Sequence, residues 1–156
     1  MKKKQRTIEI EVTFERTDDT ARRLPVRADM IAWMRAAADR DLIVGVRFVG
    51  PEEGRELNAQ YRGKDYATNI LTFDYTHEPT AEADLVVCTD VVRREAAEQG
   101  KSFRAHLAHL LVHGVLHAQG WDHMTDEEAE AMEALETRIM HDLGFPDPYS
   151  DRARAH

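Results

Sequence analysis

Three histidines in one short segment constrain the local fold of this chain more strongly than any other feature. The segment HGVLHAQGWDH, residues 113 to 123, contains His113, His117 and His123, with Gly120 between the last two. Residues four apart on a helix share a face with Cβ atoms about 6 Å apart, so His113 and His117 can bind one cation from adjacent turns. A glycine permits a left-handed turn at the helix end, which lets His123 swing back toward them. We predict a helix, a turn and a three-histidine metal site.

The ligand types indicate which metal this site would hold. Three neutral imidazoles with one open position are typical of catalytic zinc, and we predict one zinc ion. The spacing matches the HExxHxxGxxH motif of metzincin proteases, but Gly114 stands where that motif has its catalytic glutamate. A zinc-bound water is acidified to a pKa of about 7 by the metal itself, so the missing glutamate disfavours a peptidase without disfavouring a hydrolase.

Other polar residues near the motif have competing interpretations. His106 and His109 extend the histidine stripe along the same predicted helix. We prefer His123 as the third ligand because ligands must converge from different directions, and we assign His106 and His109 to structural or ligand-orienting roles. Asp122 is either an orienting or proton-transfer carboxylate or simply a turn residue or ion-pair partner.

Hydrophobic periodicity predicts the rest of the fold. Alternating residues, or short apolar runs, indicate strands over residues 7–15, 42–50, 70–75 and 83–88. Helical spacing and end signals indicate helices over residues 28–40, 51–62, 91–100, 103–119 and 125–144. We predict an α+β fold, with a mixed sheet of about four strands packed with helices, in a single metallo-hydrolase domain over residues 1–156 with a frayed tail from about residue 147.

Composition sets the cellular context. No apolar run in the 156 residues approaches the roughly 18 needed for a membrane span, and no apolar signal region follows the basic start, so we expect a cytoplasmic protein without membrane partners. The single cysteine fits a reducing compartment. The net charge of -8 argues against a broad nucleic-acid-binding surface. Residues 124 to 137 contain six carboxylates and no basic residue, and we interpret them as a solvated helix face.

A second candidate element lies in NAQYRGKDYATNILTF, residues 58 to 73. Arg62 stands at the end of a predicted short helix beside a glycine, with Lys64 close behind. An arginine in this position can project into a cleft and offer a planar fork to phosphate oxygens. Basic loop residues are usually just solvated, so the segment gains weight only in combination with the histidines.

Several segments together resemble the YbeY family of bacterial endoribonucleases over roughly residues 45 to 148. They are NAQYRGKDYATNILTF, ADLVVC, HLAHLLVHGVLHAQGWDH and DEEAEAMEALETRIMHDLG. The resemblance implies a zinc-dependent, single-strand-specific endoribonuclease acting in rRNA processing, including maturation of the 16S rRNA 3′ end, and in ribosome quality control. It implies zinc ligation by His113, His117 and His123 and a functional role for Arg62, with small-subunit processing factors and the ribosome as partners and no DNA substrate.

Two positions of this sequence depart from the family pattern. Asn69 replaces the usual aspartate of a Thr-Asp pair, and Ala83 replaces the usual glycine before Asp84. The first change removes a carboxylate near the expected cleft, and we expect the second to have structural consequences alone.

Two other functions compete with this interpretation. They are a metal-dependent hydrolase of another substrate, such as peptides, and a non-catalytic ribosome-binding module stabilised by zinc.

Overall fold

The alternating and apolar segments form a sheet surrounded by helices in the computed structural model, which describes residues 7–16 and 23–149. The elements in chain order are β1 (Ile10–Arg16), α1 (Arg27–Ala37), β2 (Leu42–Val49), α2 (Pro51–Arg62), β3 (Ile70–Thr76), β4 (Ala81–Cys88), α3 (Thr89–Gln99), α4 (Phe103–Ala118) and α5 (Asp126–Asp142). The predicted α+β fold with four strands is confirmed. No helix among these described residues is long and apolar enough to cross a membrane.

The four strands form one mixed sheet in the order β1-β2-β4-β3. β2 pairs in parallel with β1 and β4, and β3 runs antiparallel to β4 at one edge. Pairing explains two differences from the predicted bounds. β1 begins at Ile10 because that residue faces Leu42, the first residue of β2, and β4 begins at Ala81 because it faces the same residue from the other side.

The two faces of the sheet are covered differently. Alternate residues of β2, among them Val44, Val46 and Phe48, are buried in the main core together with apolar residues of α1, α4 and α5. The opposite face holds a smaller cluster in which Leu57 of α2 packs on Val49 and its neighbours. The larger core therefore lies on the side of the sheet that carries the histidine helix.

α4 is the central helix of the domain and contacts α1, α3, α5, β3 and β4. Its first turn is capped by the Ser102 hydroxyl, which accepts a hydrogen bond from the Ala105 N–H at 3.0 Å. Leu107, Leu111 and Val115 are fully buried along its length. These contacts fix the helix on all sides except the one that carries the predicted metal ligands.

Candidate metal centre

The histidine helix and the turn that follows it bring the three predicted ligands together. The His113 and His117 rings on α4 are stacked, with centres 6.5 Å apart and planes inclined by 6°. The chain then turns at Gly120, whose φ of 101° favours glycine. After the turn, the centre of the His123 ring lies 5.9 Å from that of His113 and 6.4 Å from that of His117.

Gln119 anchors this turn to the start of the domain. Its side chain is buried, donates a 3.0 Å hydrogen bond to the Ala37 carbonyl, and accepts a 2.8 Å bond from the Asp39 N–H. The Trp121 N–H also donates to the Leu116 carbonyl at 3.1 Å. The direction in which His123 returns to α4 is therefore set by contacts with the end of α1 and with the helix itself.

A buried carboxylate orients His113. Glu136 of α5 is 1% exposed and lies with its oxygens 2.8 Å from His113 Nδ1 and 2.5 Å from His109 Nε2. Burial alone would raise the pKa of Glu136, but the hydrogen bonds from His109 and His113 outweigh it and lower the pKa to about 2. An ionised carboxylate accepts hydrogen bonds, so His113 donates through Nδ1 and keeps the Nε2 lone pair for a metal.

A backbone carbonyl orients His117 through Nδ1, as Glu136 orients His113. Its Nδ1 lies 3.1 Å from the Trp121 carbonyl oxygen. A carbonyl oxygen can only accept, so Nδ1 carries the proton and Nε2 carries the lone pair. Both helix histidines thus present the same ring nitrogen as a possible ligand.

The donor set fits zinc in ligand type, but the three rings lie too far apart in this arrangement to bind one ion. Among the described residues, no three His, Cys, Asp or Glu side chains already have the spacing of a metal site. In a tetrahedral site with zinc–nitrogen distances of about 2.0–2.1 Å, imidazole centres lie roughly 5 Å apart. The observed separations are 5.9 to 6.5 Å. His113, His117 and His123 are the residues that would hold zinc, and binding would require all three ring separations to shorten, that between His113 and His117 included.

At Gly114, where the protease motif has its glutamate, α4 packs tightly against side chains of the sheet. A Cβ at this position would lie 2.8 and 3.0 Å from the two δ-carbons of Leu85 and 3.4 Å from Ile70 Cδ1. Leu85 is fully buried, so a side chain at position 114 would point into the core. A glutamate at this position could not serve as a base for a metal-activated water.

Gly114→Ala is expected to lower the free energy of unfolding by up to about 2 kcal/mol net, because overpacking a well-filled core with the added methyl costs roughly 1–3 kcal/mol. Alanine favours a helix over glycine by about 1 kcal/mol, so a net loss isolates the packing effect. Urea unfolding of the metal-free protein measures it. Equal or greater stability of the variant would show that the helix has room to move away from the sheet.

Arg62 lines the same cleft of about 640 Å³ as the three histidines. It is the last residue of α2, which ends where Gly63 adopts a left-handed φ of 68°. The following loop is tied back to α2 because buried Asn58 donates a 2.7 Å hydrogen bond to the Tyr66 carbonyl. The structure therefore brings Arg62 to the same cleft as the predicted metal ligands.

The cleft lacks the negative charge that dominates the chain as a whole. Of the described residues that line it, none is an aspartate or glutamate. Its charged and titratable side chains are Arg62, the four histidines 109, 113, 117 and 123, and two tyrosines. The lining therefore carries the positive charge of Arg62 and no carboxylate, while the ionised Glu136 contacts two of its histidines, so Arg62 is the group that suits an anionic ligand.

Asp122 does not line this cleft. Its Oδ1 accepts a 2.7 Å hydrogen bond from the His123 N–H and lies 3.8 Å from His123 Nδ1. The short bond fits the turn-residue alternative, because the carboxylate stabilises the backbone that presents His123. A role in orienting the ring or in proton transfer stays a prediction.

The comparisons with known proteins decide the family. A family model described as "Endoribonuclease YbeY" matches residues 3–144. The chain belongs to the YbeY family. A relative from Delftia acidovorans, named endoribonuclease YbeY, is 61% identical over 125 residues that cover 80% of this chain and 82% of the relative. A relative of the same name from Methylibium petroleiphilum is 50% identical over 150 residues, covering 96% of this chain and all of the relative.

A solved structure supports the fold independently. The solution structure of a protein from Thermotoga maritima matches with a TM-score of 0.55 and 24% sequence identity, covering 88% of this chain and 97% of that protein. The resemblance to the YbeY family predicted from the sequence motifs is confirmed by the family match and the relatives.

The two departures from the YbeY pattern have structural explanations. Asn69 Nδ2 and His106 Nε2 each lie 2.9 Å from the same oxygen of Glu95 on α3. An aspartate at position 69 could not donate this bond, so the amide suits its partner. Burial lowers the pKa of His106, which fits a structural role. Ala83 is buried in the core face of the sheet, away from the cleft.

Sequence analysis missed the role of Glu136, which it placed in a solvated acidic face. That interpretation is wrong for this residue, because Glu136 is buried alongside Met132, Ile139 and Met140 on the apolar side of α5. A carboxylate at an apolar position of an amphipathic helix was the available signal. In the tail that was expected to fray from about residue 147, Pro148 and Tyr149 contact the domain, and residues 150 to 156 lie outside the described part of the chain.

The ionised Glu136 makes stability depend on pH. Its folded-state pKa of about 2 lies below the ordinary value of 4.5, so its contribution is present above about pH 4.5 and is lost as the pH falls toward 2. We expect the free energy of unfolding of the metal-free protein to fall over that range, and Glu136→Gln to flatten the fall. Urea unfolding at several pH values measures both profiles. Glu130→Gln on the exposed side of α5 is the control. A Glu136→Gln profile parallel to that of the wild type would show that Glu136 is not the source of the pH dependence.

Proposed function

We propose that this protein is a zinc-dependent endoribonuclease that cleaves single-stranded RNA. The observation that carries the proposal is the shared cleft in which Arg62 lies together with His113, His117 and His123. A metal site and a planar cation in one cleft suit the hydrolysis of a phosphodiester, since each kind of group binds phosphate oxygens. The relatives named endoribonuclease YbeY support the same reaction class.

The cleft also suits a single strand of nucleic acid. Tyr61, which is 59% exposed, and Phe73 line the same cleft as Arg62, with ring centres 4.9 Å apart. Aromatic side chains beside a basic group are the usual means of binding unpaired bases without strong sequence preference. A duplex would hide the base faces from these rings, so the aromatic wall favours unpaired RNA.

The residues of the chain divide the work of the proposed reaction. When bound, zinc would act as a Lewis acid that activates a water or polarises a phosphoryl oxygen. Glu136 and the Trp121 carbonyl hold the His113 and His117 rings with Nε2 available as a ligand. Arg62 binds the scissile phosphate and stabilises the negative charge that develops in the transition state.

The proposed cellular setting is ribosomal RNA processing, including maturation of the 16S rRNA 3′ end, and ribosome quality control in the cytoplasm. Membership of the YbeY family supports this setting. The net charge of -8 disfavours a broad nucleic-acid-binding surface, so the ribosome and small-subunit processing factors are proposed to help present the strand. The whole chain, residues 1–156, is proposed to act as one metallo-hydrolase domain with one zinc ion.

Substrate comparison tests the proposal. Zinc-loaded and chelated protein are incubated separately with end-labelled single-stranded RNA, the same RNA as a duplex, single-stranded DNA, and casein. We expect zinc-dependent cleavage of the single-stranded RNA alone. Zinc-dependent cleavage of casein would favour a peptidase, and zinc binding without cleavage of any substrate would favour a ribosome-binding module.

A further inference from the structure

The segment that follows α5 is held against the domain by three separate contacts, the last of them at the candidate metal centre. The Phe145 ring packs edge-on against Trp33 of α1, with centres 5.6 Å apart. The Lys101 ammonium donates a hydrogen bond to the Pro148 carbonyl. Tyr149 then lies edge-on to the His109 ring with centres 5.2 Å apart. Residues 145 to 149 therefore form a strap across α4, which we call the C-terminal strap.

The strap ends at the carboxylate that orients a metal ligand. The Tyr149 hydroxyl donates to Glu136 Oε1 at 2.5 Å, the same oxygen that His109 Nε2 contacts at 2.5 Å. The other oxygen, Oε2, accepts from His113 Nδ1 at 2.8 Å. Two donors on Oε1 fix the rotation of the carboxylate about its side-chain bond, and this rotation sets the direction of the Oε2 bond to His113.

Tyr149 is also the one residue of the C-terminal strap that lines the cleft shared by Arg62 and the three histidines. It is half-buried, and its ring lies beside His109 in the cleft wall while its hydroxyl is directed to Glu136. The strap thus connects the far end of the chain to the ligand set through a single side chain.

We propose that Tyr149 is a positioning residue of the metal centre, which holds Glu136 in the rotation that aligns His113 for zinc. The inference rests on the proposed function, because it assumes that the three histidines bind zinc. The chain of contacts runs from the Tyr149 hydroxyl to Glu136 and from Glu136 to His113 Nδ1, leaving Nε2 for the metal. Partners beyond the ligands of a metal commonly set ligand orientation and affinity in this way.

Tyr149→Phe tests this role by removing the hydroxyl while keeping the ring against His109. We expect a roughly 5- to 10-fold loss of zinc affinity, at or below the lower end of the range for residues that orient a ligand directly. Zinc affinity is measured without RNA, by competition with a chelating dye. Tyr75→Phe is the matched control, because the Tyr75 hydroxyl also donates a short hydrogen bond to a carboxylate, that of Asp84, at 2.6 Å. Neither Tyr75 nor Asp84 lines the cleft that holds the histidines.

Thermal unfolding of the metal-free variants separates positioning from general destabilisation. Weaker zinc binding by Tyr149→Phe, with a midpoint close to that of Tyr75→Phe, would support the role. Zinc affinity within twofold of wild type would overturn it. A zinc loss accompanied by a midpoint far below that of Tyr75→Phe would also overturn it, because the hydroxyl would then stabilise the fold in general. Failure of the wild type to bind zinc would overturn the proposed function itself, and the titration of the wild type shows this separately.

Discussion

His117→Ala is expected to abolish stoichiometric zinc binding and to lower cleavage of single-stranded RNA by at least about a thousandfold, since Lewis-acid catalysis supplies several kcal/mol. His117 lies between the other two predicted ligands along the chain, and its Nδ1 is already bonded to the Trp121 carbonyl, so alanine removes an oriented donor. Two histidines remain, and two neutral ligands do not make a closed or a catalytic zinc site. Metal analysis and a cleavage assay on the same preparation measure both effects.

His141→Ala is the control for the loss of a histidine, because His141 is exposed near the end of α5 and does not line the cleft. It should retain one zinc per chain and wild-type cleavage. Full zinc occupancy in His117→Ala would refute the assignment of His117 as a ligand. Full cleavage without bound zinc would instead show that the metal is not needed for the reaction.

Arg62→Ala is expected to slow RNA cleavage by about 100-fold or more while leaving zinc content unchanged, because it removes a preorganised donor to the phosphate. Arg62 is exposed at the end of α2, so its loss leaves the core intact. Arg62→Lys keeps the positive charge but loses the planar fork, and we expect it to recover little of the rate. Single-turnover cleavage by zinc-loaded protein measures the effect on the chemical step.

Arg94→Ala provides the matched control on α3, where Arg94 is 65% exposed and pairs weakly with Glu98 at 3.7 Å. Wild-type cleavage by this control with a slow Arg62→Ala would locate the effect in the cleft. A rate for Arg62→Ala equal to wild type would remove Arg62 from the mechanism. A rate fully restored in Arg62→Lys would show that charge alone is sufficient.

The parts of the site that depend on local sequence could be predicted. His113 and His117 share a face because the helix repeat places residues four apart on adjacent turns, and Gly120 allows the turn that returns His123. Arg62 was found because a helix end beside a glycine is a local signal. The strand segments were also predicted, since alternation and apolar runs need no knowledge of their partners.

The parts that depend on distant contacts could not be predicted. Glu136 meets His113 from another helix, and Tyr149 reaches Glu136 from a segment expected to fray. No local pattern specifies either contact. The requirement for glycine at position 114 depends on Leu85 of β4, which the sequence alone does not place beside α4. The strand order β1-β2-β4-β3 is similarly a property of the assembled sheet.

The most direct test of the proposed metal centre is a zinc titration of metal-free protein in which bound zinc and cleavage of labelled single-stranded RNA are measured on the same samples. Wild-type, His117→Ala and Arg62→Ala proteins are purified identically to exclude a contaminating nuclease. We predict that wild-type cleavage rises in proportion to bound zinc and saturates at one ion per chain, that His117→Ala neither binds nor cleaves, and that Arg62→Ala binds zinc but cleaves slowly. Full cleavage by the metal-free wild type, or equal cleavage by all three proteins, would contradict the proposed metal centre.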